Sequence, residues 1–163
     1  MSSRLIKARS LLAGLAVSLA AAMPGVSAQE VDPQQAFLDP QQAFLDRHAE
    51  EEGVIVRYNG LHYRPIAFGK GAFPSPNSSV VVHYEGKLID GTVFDSSYER
   101  GKPAEFRLDQ VIKGWTEGLI LMREGGKAEL VIPSELGYGE EGAGDDIPPG
   151  ATLIFQVELI EVQ

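Results

Sequence analysis

QVIKGWTEGLILM, residues 110 to 122, decides the fold: it is the one convincing core helix beyond the N-terminal leader, and it carries the only tryptophan of the chain. Ile112, Trp115, Leu119 and Met122 are spaced three, four and three apart, which places them on one helical face and leaves Lys113, Thr116 and Glu117 on the other. The segments on either side alternate with period two, so the pattern is one sheet folded over one short helix. Read by itself, Trp115 fills a core.

Working outward, Glu105 to Leu108 is a short strand that leads into this helix, and Gly125-Gly126 ends it. Lys127 to Ile132 alternates with Ala128, Leu130 and Ile132 inward, and Pro133 stops it. Thr152 to Val162 alternates with Leu153, Phe155, Val157 and Leu159 on the buried face. Between these two strands, residues 134 to 150 form a loop rich in glycine and proline around one aromatic, Tyr138. A loop that long inside a compact domain is usually functional or disordered. Upstream, Val80, Val82 and Tyr84 point one way while Val81, His83 and Glu85 point the other. Asp90-Gly91 predicts a two-residue hairpin turn, so that Phe94 and Asp95 arrive just after it. Leu61 to Phe68 is a first strand whose Pro65 is best tolerated at an edge. The predicted domain is α+β: a five- to six-stranded antiparallel sheet, a half-barrel, wrapped around one short helix.

The N-terminus reads as an address. Arg4, Lys7 and Arg9 precede an apolar run from Leu11 to Met23, and Val26-Ser27-Ala28 offers small residues for cleavage after Ala28. A membrane anchor is the competing reading, but about 13 apolar residues span only roughly 20 Å as a helix, against a hydrocarbon core of roughly 30 Å. The expected divisions are a signal peptide at 1–28, a linker with a short helix at 29–59 and the globular domain at 60–163. The mature chain is then expected outside the cytoplasm, periplasmic in a Gram-negative source, with no stable membrane anchor. Within the linker DPQQAFL occurs at residues 32 to 38 and again at 39 to 45. Two heptads are too few for a coiled coil, and Pro40 inside one helix would cost about 3 kcal/mol. Asp39 as N-cap and Pro40 at the first helical position predict instead a helix to about Glu52, ended by Gly53. Phe44 and Leu45 then need cover from the domain or from a second chain.

The net charge of −9 falls to about −12 once Arg4, Lys7 and Arg9 are removed with the leader, because no acid goes with them. Nucleic acid is excluded as a partner by the lack of a basic face. With no cysteine there is no disulfide, thiol nucleophile or thiolate zinc site. The sequence has no phosphate loop of standard spacing, no H-E-x-x-H and no serine in a nucleophile elbow. His48, His62 and His83 are scattered along the chain, and His83 reads as a surface or hydrogen-bonded histidine. Glu140, Glu141, Asp145 and Asp146 lack the ligand alternation of a calcium loop and read as a solvated acidic loop.

Four stretches carry a family resemblance: VHYEGKLIDGTVFDSS (82 to 97), VIKGWTEGL (111 to 119), VIPSELGYG (131 to 139) and IPPGATLIFQVELIEV (147 to 162). In order and without large gaps, they resemble the FKBP-type peptidyl-prolyl cis-trans isomerases over about 100 residues. FDSSYERGKPAEF, with the leader and a short acidic lead-in, is most similar to the secreted bacterial branch that includes the macrophage infectivity potentiator proteins. The resemblance implies a rotamase for X-Pro bonds in exported chains, without cofactor or metal. It makes Trp115 the floor of a proline pocket, with Tyr84, Phe106, Val111, Ile112 and Phe155 as walls and Phe94 beside them. Asp95 would lie near the rotating bond, the Ile112 N–H and the Tyr138 hydroxyl would bind substrate carbonyls, and Ile147 would close the rim. Proline-containing polypeptides are the implied partners and macrolides the implied inhibitors. The lead-in is far shorter than the dimerising helix of the infectivity potentiators, which leaves a monomer or a weak dimer. A non-catalytic proline-segment-binding module or holdase that uses the same apolar cleft is the alternative function.

Overall fold

The computed structural model describes residues 33–163, with side chains from Pro40 onward; the expected signal peptide lies outside the described residues. Helix α1 (Pro33–Ala49) is followed by strands β1 (Ile55–Val56), β2 (His62–Ala67), β3 (Ser79–Leu88), β4 (Val93–Ser96) and β5 (Ala104–Arg107). Helix α2 (Lys113–Leu119), strand β6 (Lys127–Ile132), a single 3-10 turn (Ser134–Leu136) and strand β7 (Leu153–Val162) complete the chain. Every pairing is antiparallel, in the order β1-β2-β6-β7-β3-β4. Strand β5 shares the outer edge of β3 with β4: it lies opposite Ser79–Val82, while β4 lies opposite Glu85–Lys87.

The alternation read from the sequence sets the inner face. Val80, Val82 and Tyr84 of β3, Ala128, Leu130 and Ile132 of β6 and Leu153, Phe155, Val157 and Leu159 of β7 are all buried in one cluster with Trp115, Leu119 and Met122. Helix α2 lies so close to β6 that a Cβ on Gly114 would come within 2.5 Å of Ile132, and one on Gly118 within 2.6 Å of Leu130. These two glycines are therefore what let the helix sit in the sheet's concavity.

The structure corrects the sequence reading in several places. One strand escaped it, so the sheet has seven strands rather than five or six; the two-residue β1 has too little periodicity to register. Because β1 pairs only with His62 and Tyr63, Pro65 is left effectively at an edge, beside a bulge. Helix α2 is shorter than 110–122: Ile112 is its N-cap, with extended backbone, and past Leu119 the Leu121 and Met122 N–H groups bond three residues back instead of four. The same apolar residues stay buried, because such a tightened last turn keeps the face. The hairpin loop has three residues, Ile89 to Gly91: Gly91 N–H donates to Leu88 O, Leu88 N–H donates to Thr92 O, and Gly91 sits at φ 89°. A type I turn closed by a left-handed glycine has this geometry.

The lead-in departs most. Helix α1 begins at Pro33 and runs through Pro40, which was expected to start it, and it ends at Ala49 rather than Glu52. Pro33 takes the harmless first-turn position, and the helix tolerates the bond lost at Pro40 because its second half is tied to the sheet. Gln41 Oε1 accepts the Thr152 N–H at 2.9 Å, and His48 reaches β2 and β6. Phe44 and Leu45 are half-buried, with Phe44 stacked on His48 at 5.9 Å. Beyond Ala49 the Glu50, Glu51 and Val54 N–H groups turn to carbonyls three residues back, and Gly53 at φ 81° leads the chain away.

Candidate active site

The N-terminal end of α2 opens into a pocket of about 430 Å³ lined by Tyr84, Phe94, Asp95, Phe106, Gln110, Val111, Ile112, Trp115, Tyr138 and Phe155. Trp115, only 4 % exposed, forms its floor. Three rings meet the indole nearly at right angles: Tyr84 at 5.1 Å and 89°, Phe106 at 5.3 Å and 79°, and Phe155 at 5.3 Å and 85°. Phe94 extends the wall, edge to face on Phe155 at 5.5 Å. Such pairs set the partly positive edge of one ring against the negative face of the next, which fixes ring orientation as well as burying area. Gly86 makes room for them, since a Cβ there would come within 2.6 Å of Phe155 and 2.7 Å of Phe94. The Trp115 Nε1–H is buried and meets no hydrogen-bond acceptor among the described residues, so the floor presents ring carbons and one unpaired donor.

One wall is charged and pinned. The Tyr84 hydroxyl donates to Asp95 Oδ2; Arg100 donates to Asp95 Oδ1 and, at 2.9 Å, to the Tyr84 hydroxyl, with its guanidinium 5.5 Å from the centre of the Tyr84 ring. Burial alone would raise the Asp95 pKa, but the hydrogen bonds from Tyr84 and Arg100 outweigh it and hold the carboxyl below its ordinary value. Burial, and then the bond to Asp95, push the Tyr84 phenol up. Ser97 fixes the backbone beneath: its Oγ accepts the Tyr84 N–H at 2.8 Å and bonds His83 Nδ1 at 2.9 Å. His83, also stacked on Tyr98 at 4.6 Å, is thus the hydrogen-bonded histidine expected of it.

Two donors face the pocket unspent. The Tyr138 side chain is 42 % exposed, and its hydroxyl has no partner among the described residues. Its backbone is held after the 3-10 turn by Gly139 N–H donating to Ser134 O at 2.8 Å and Gly142 N–H donating to Tyr138 O at 3.2 Å. Ile112, at the N-cap of α2, likewise has a backbone N–H that meets no acceptor among the described residues.

The structure brings every residue singled out from the sequence into this pocket except Ile147. That residue pairs with Ala143 through two backbone hydrogen bonds of 2.9 and 3.1 Å and turns its side chain into the core. Arg100 and Gln110 went unnoticed. The available signal was Arg100 lying five residues beyond Asp95, in a loop with no periodicity to mark it.

A model of the FKBP-type peptidyl-prolyl cis-trans isomerase family matches residues 70–160. The chain belongs to that family. It is 57 % identical over 115 residues to the FKBP-type 22 kDa peptidyl-prolyl cis-trans isomerase of Escherichia coli, covering 71 % of this chain and 56 % of that one. With the peptidyl-prolyl cis-trans isomerase Mip of Coxiella burnetii it shares 51 % identity over 111 residues, covering 68 % of this chain and 48 % of the relative. The crystal structure of FkpA from Escherichia coli superposes with a TM-score of 0.74 at 46 % identity, over 79 % of this chain and 64 % of FkpA. A peptidyl-prolyl cis-trans isomerase from Pseudomonas syringae gives a TM-score of 0.76 at 42 % identity, over 81 % of this chain and 97 % of its own. The chain spans about half the length of the curated relatives it matches. In this FKBP-type chain an antiparallel sheet wraps on α2, with the aromatic pocket at the helix's first turn.

Proposed function

We propose that this chain catalyses cis-trans isomerisation of X-Pro bonds in exported polypeptides. The observation that carries the reading is the aromatic pocket over Trp115, with two unspent donors at its rim. The reaction makes and breaks no covalent bond. Its barrier, roughly 18 to 20 kcal/mol, is mostly amide resonance, and the twisted amide is less dipolar than the planar one. A pocket that removes water therefore favours the twisted state. The prolyl ring sits on Trp115 between Tyr84, Phe106 and Phe155, the Ile112 N–H holds one substrate carbonyl, and the Tyr138 hydroxyl donates to the carbonyl that turns. Asp95, ionised and tied to Tyr84 and Arg100, faces the rotating bond as a fixed charge and transfers no proton. An acceleration of about 10⁵ would need roughly 7 kcal/mol in total, within reach of desolvation plus one or two donors that bind the twisted state better.

The exported setting rests on the leader-like residues 1 to 28. Packing of α1 back onto its own sheet supports a monomer over a dimer built through the lead-in. The apolar pocket also suits macrolide ligands, which would compete with proline peptides. The test is a protease-coupled assay on a proline-containing peptide. The proposal requires a rate clearly above the uncatalysed one, reduced by Asp95→Ala and by a macrolide; a rate equal to background would refute it.

A further inference from the structure

The opposite, outer face of the sheet carries a buried polar cluster that the pocket does not use. His48 of α1 and His62 of β2 are each only 4 % exposed, and their Nδ1 atoms lie 2.9 Å apart. His48 Nε2 is 3.1 Å from Glu129 Oε1 of β6. Arg64 donates to the same Glu129 oxygen and, at 2.9 Å, to Glu51 just past the end of α1; Glu51 in turn lies 4.0 Å from His48 Nε2. Glu51, Glu129 and Arg64 are thus the charged groups in contact with the pair or with its carboxylate partner, from α1's end, β6 and β2. Asp46 of α1 and Glu135 after β6 are the carboxylates that share the groove beside His62. Because the Arg64 guanidinium already occupies the carboxylate, the cluster is unsuited to a metal ion. His62 also lines a groove with Asp46, Ser134 and Glu135, which gives protons a route to its ring.

Two imidazoles joined Nδ1 to Nδ1 need a single hydrogen between them. With both rings neutral, His48 Nε2–H donates to Glu129 and its bare Nδ1 accepts from His62. One added proton, on either ring, leaves every bond intact. A second added proton puts hydrogens on both facing nitrogens and two like charges in a buried site. We propose that His48, His62 and Glu129 form an acid-released latch that holds the lead-in helix on the outer face of the sheet. Burial, and then the neighbouring His48, keep the His62 pKa below its ordinary value. A folded-state pKa below the unfolded one means that the docked form binds fewer protons, so docking is fully stabilised above the ordinary histidine pKa and weakens as pH falls below it. Release parts Gln41 from Thr152 and frees the half-buried Phe44 and Leu45 of the helix.

Hydrogen exchange on the full chain tests this. Corrected for intrinsic rates, amide protection of residues 41 to 49 is expected to fall by about tenfold or more between about pH 7.5 and about pH 5, while β6 and β7 keep theirs. Trp115 fluorescence reports in the same samples that the core is intact. In His62→Gln, which cannot take up a charge, protection of α1 should no longer respond to pH. A second measurement needs no variant: NMR titration of the wild-type histidines should show the second proton entering the pair together with loss of α1 protection. Equal pH dependence in His62→Gln, or two charged rings under a still-protected α1, overturns the latch.

Discussion

The two faces of the sheet are built on opposite principles. The inner face is apolar and interlocked: rings meet edge to face around Trp115, and Gly86, Gly114 and Gly118 are there because a Cβ would collide. The outer face under α1 is held by a few long-range polar contacts, Gln41 to Thr152 and His48 to His62 and Glu129. A packed core transmits any change of volume, whereas a polar contact fails one bond at a time. The inner face should therefore respond steeply to volume and weakly to pH, and the outer face the reverse.

The largest effect should come from Trp115→Ala. Removing the floor takes contacts from Tyr84, Phe106 and Phe155 at once, and the expected loss is about 3 to 5 kcal/mol in urea unfolding, with loss of any isomerase activity. A variant as stable as the wild type would break the comparison. Next is Gly114→Ala. Its Cβ would press on Ile132 at 2.5 Å, and overpacking of this kind costs about 1 to 3 kcal/mol although alanine is the better helix former. A gain in stability would mean that the helix can lift off the sheet freely.

On the outer face, Gln41→Ala leaves the Thr152 N–H without its acceptor, in a residue only 1 % exposed. The expected loss is about 1 to 2 kcal/mol of docking free energy, read as increased exchange in α1 with little change at β6. If β6 and β7 lost protection to the same degree, the two faces would form one cooperative unit and the contrast would be wrong.

The same contrast explains what the sequence made legible. Leu130 and Phe155 fall in period-two alternation and Trp115 in a helical stripe, so the inner face, and most of the pocket with it, could be read from spacing and from the family motifs. Arg100, Gln110 and the pair His48–His62 show no periodicity; single polar residues acquire meaning only when the fold brings distant elements together. The passage of α1 through Pro40 was misread for a related reason. Local chemistry at Pro40 opposes a helix, and the contact that overrides it joins residues 111 positions apart. Ile147, expected at the rim, is bridged to Ala143 and buried in the same cluster as Trp115, a pairing within the loop that composition does not reveal.

The smallest structural effect is expected from Tyr138→Phe, which separates the chemistry of the inner face from its packing. The ring stays, and the hydroxyl that is lost bonds nothing among the described residues. Stability should stay within about 0.5 kcal/mol of the wild type. If the hydroxyl binds the twisted amide better than the planar one, kcat/KM falls about tenfold, the loss of roughly 1.4 kcal/mol that one hydrogen bond supplies. Asp95 is ionised throughout the neutral range, its pKa lying below the ordinary carboxylate value, so the deficit should be the same at pH 6 and pH 8. An unchanged rate would assign catalysis to desolvation over Trp115 alone. A changed stability would mean instead that the loop after the 3-10 turn depends on that hydroxyl for its shape.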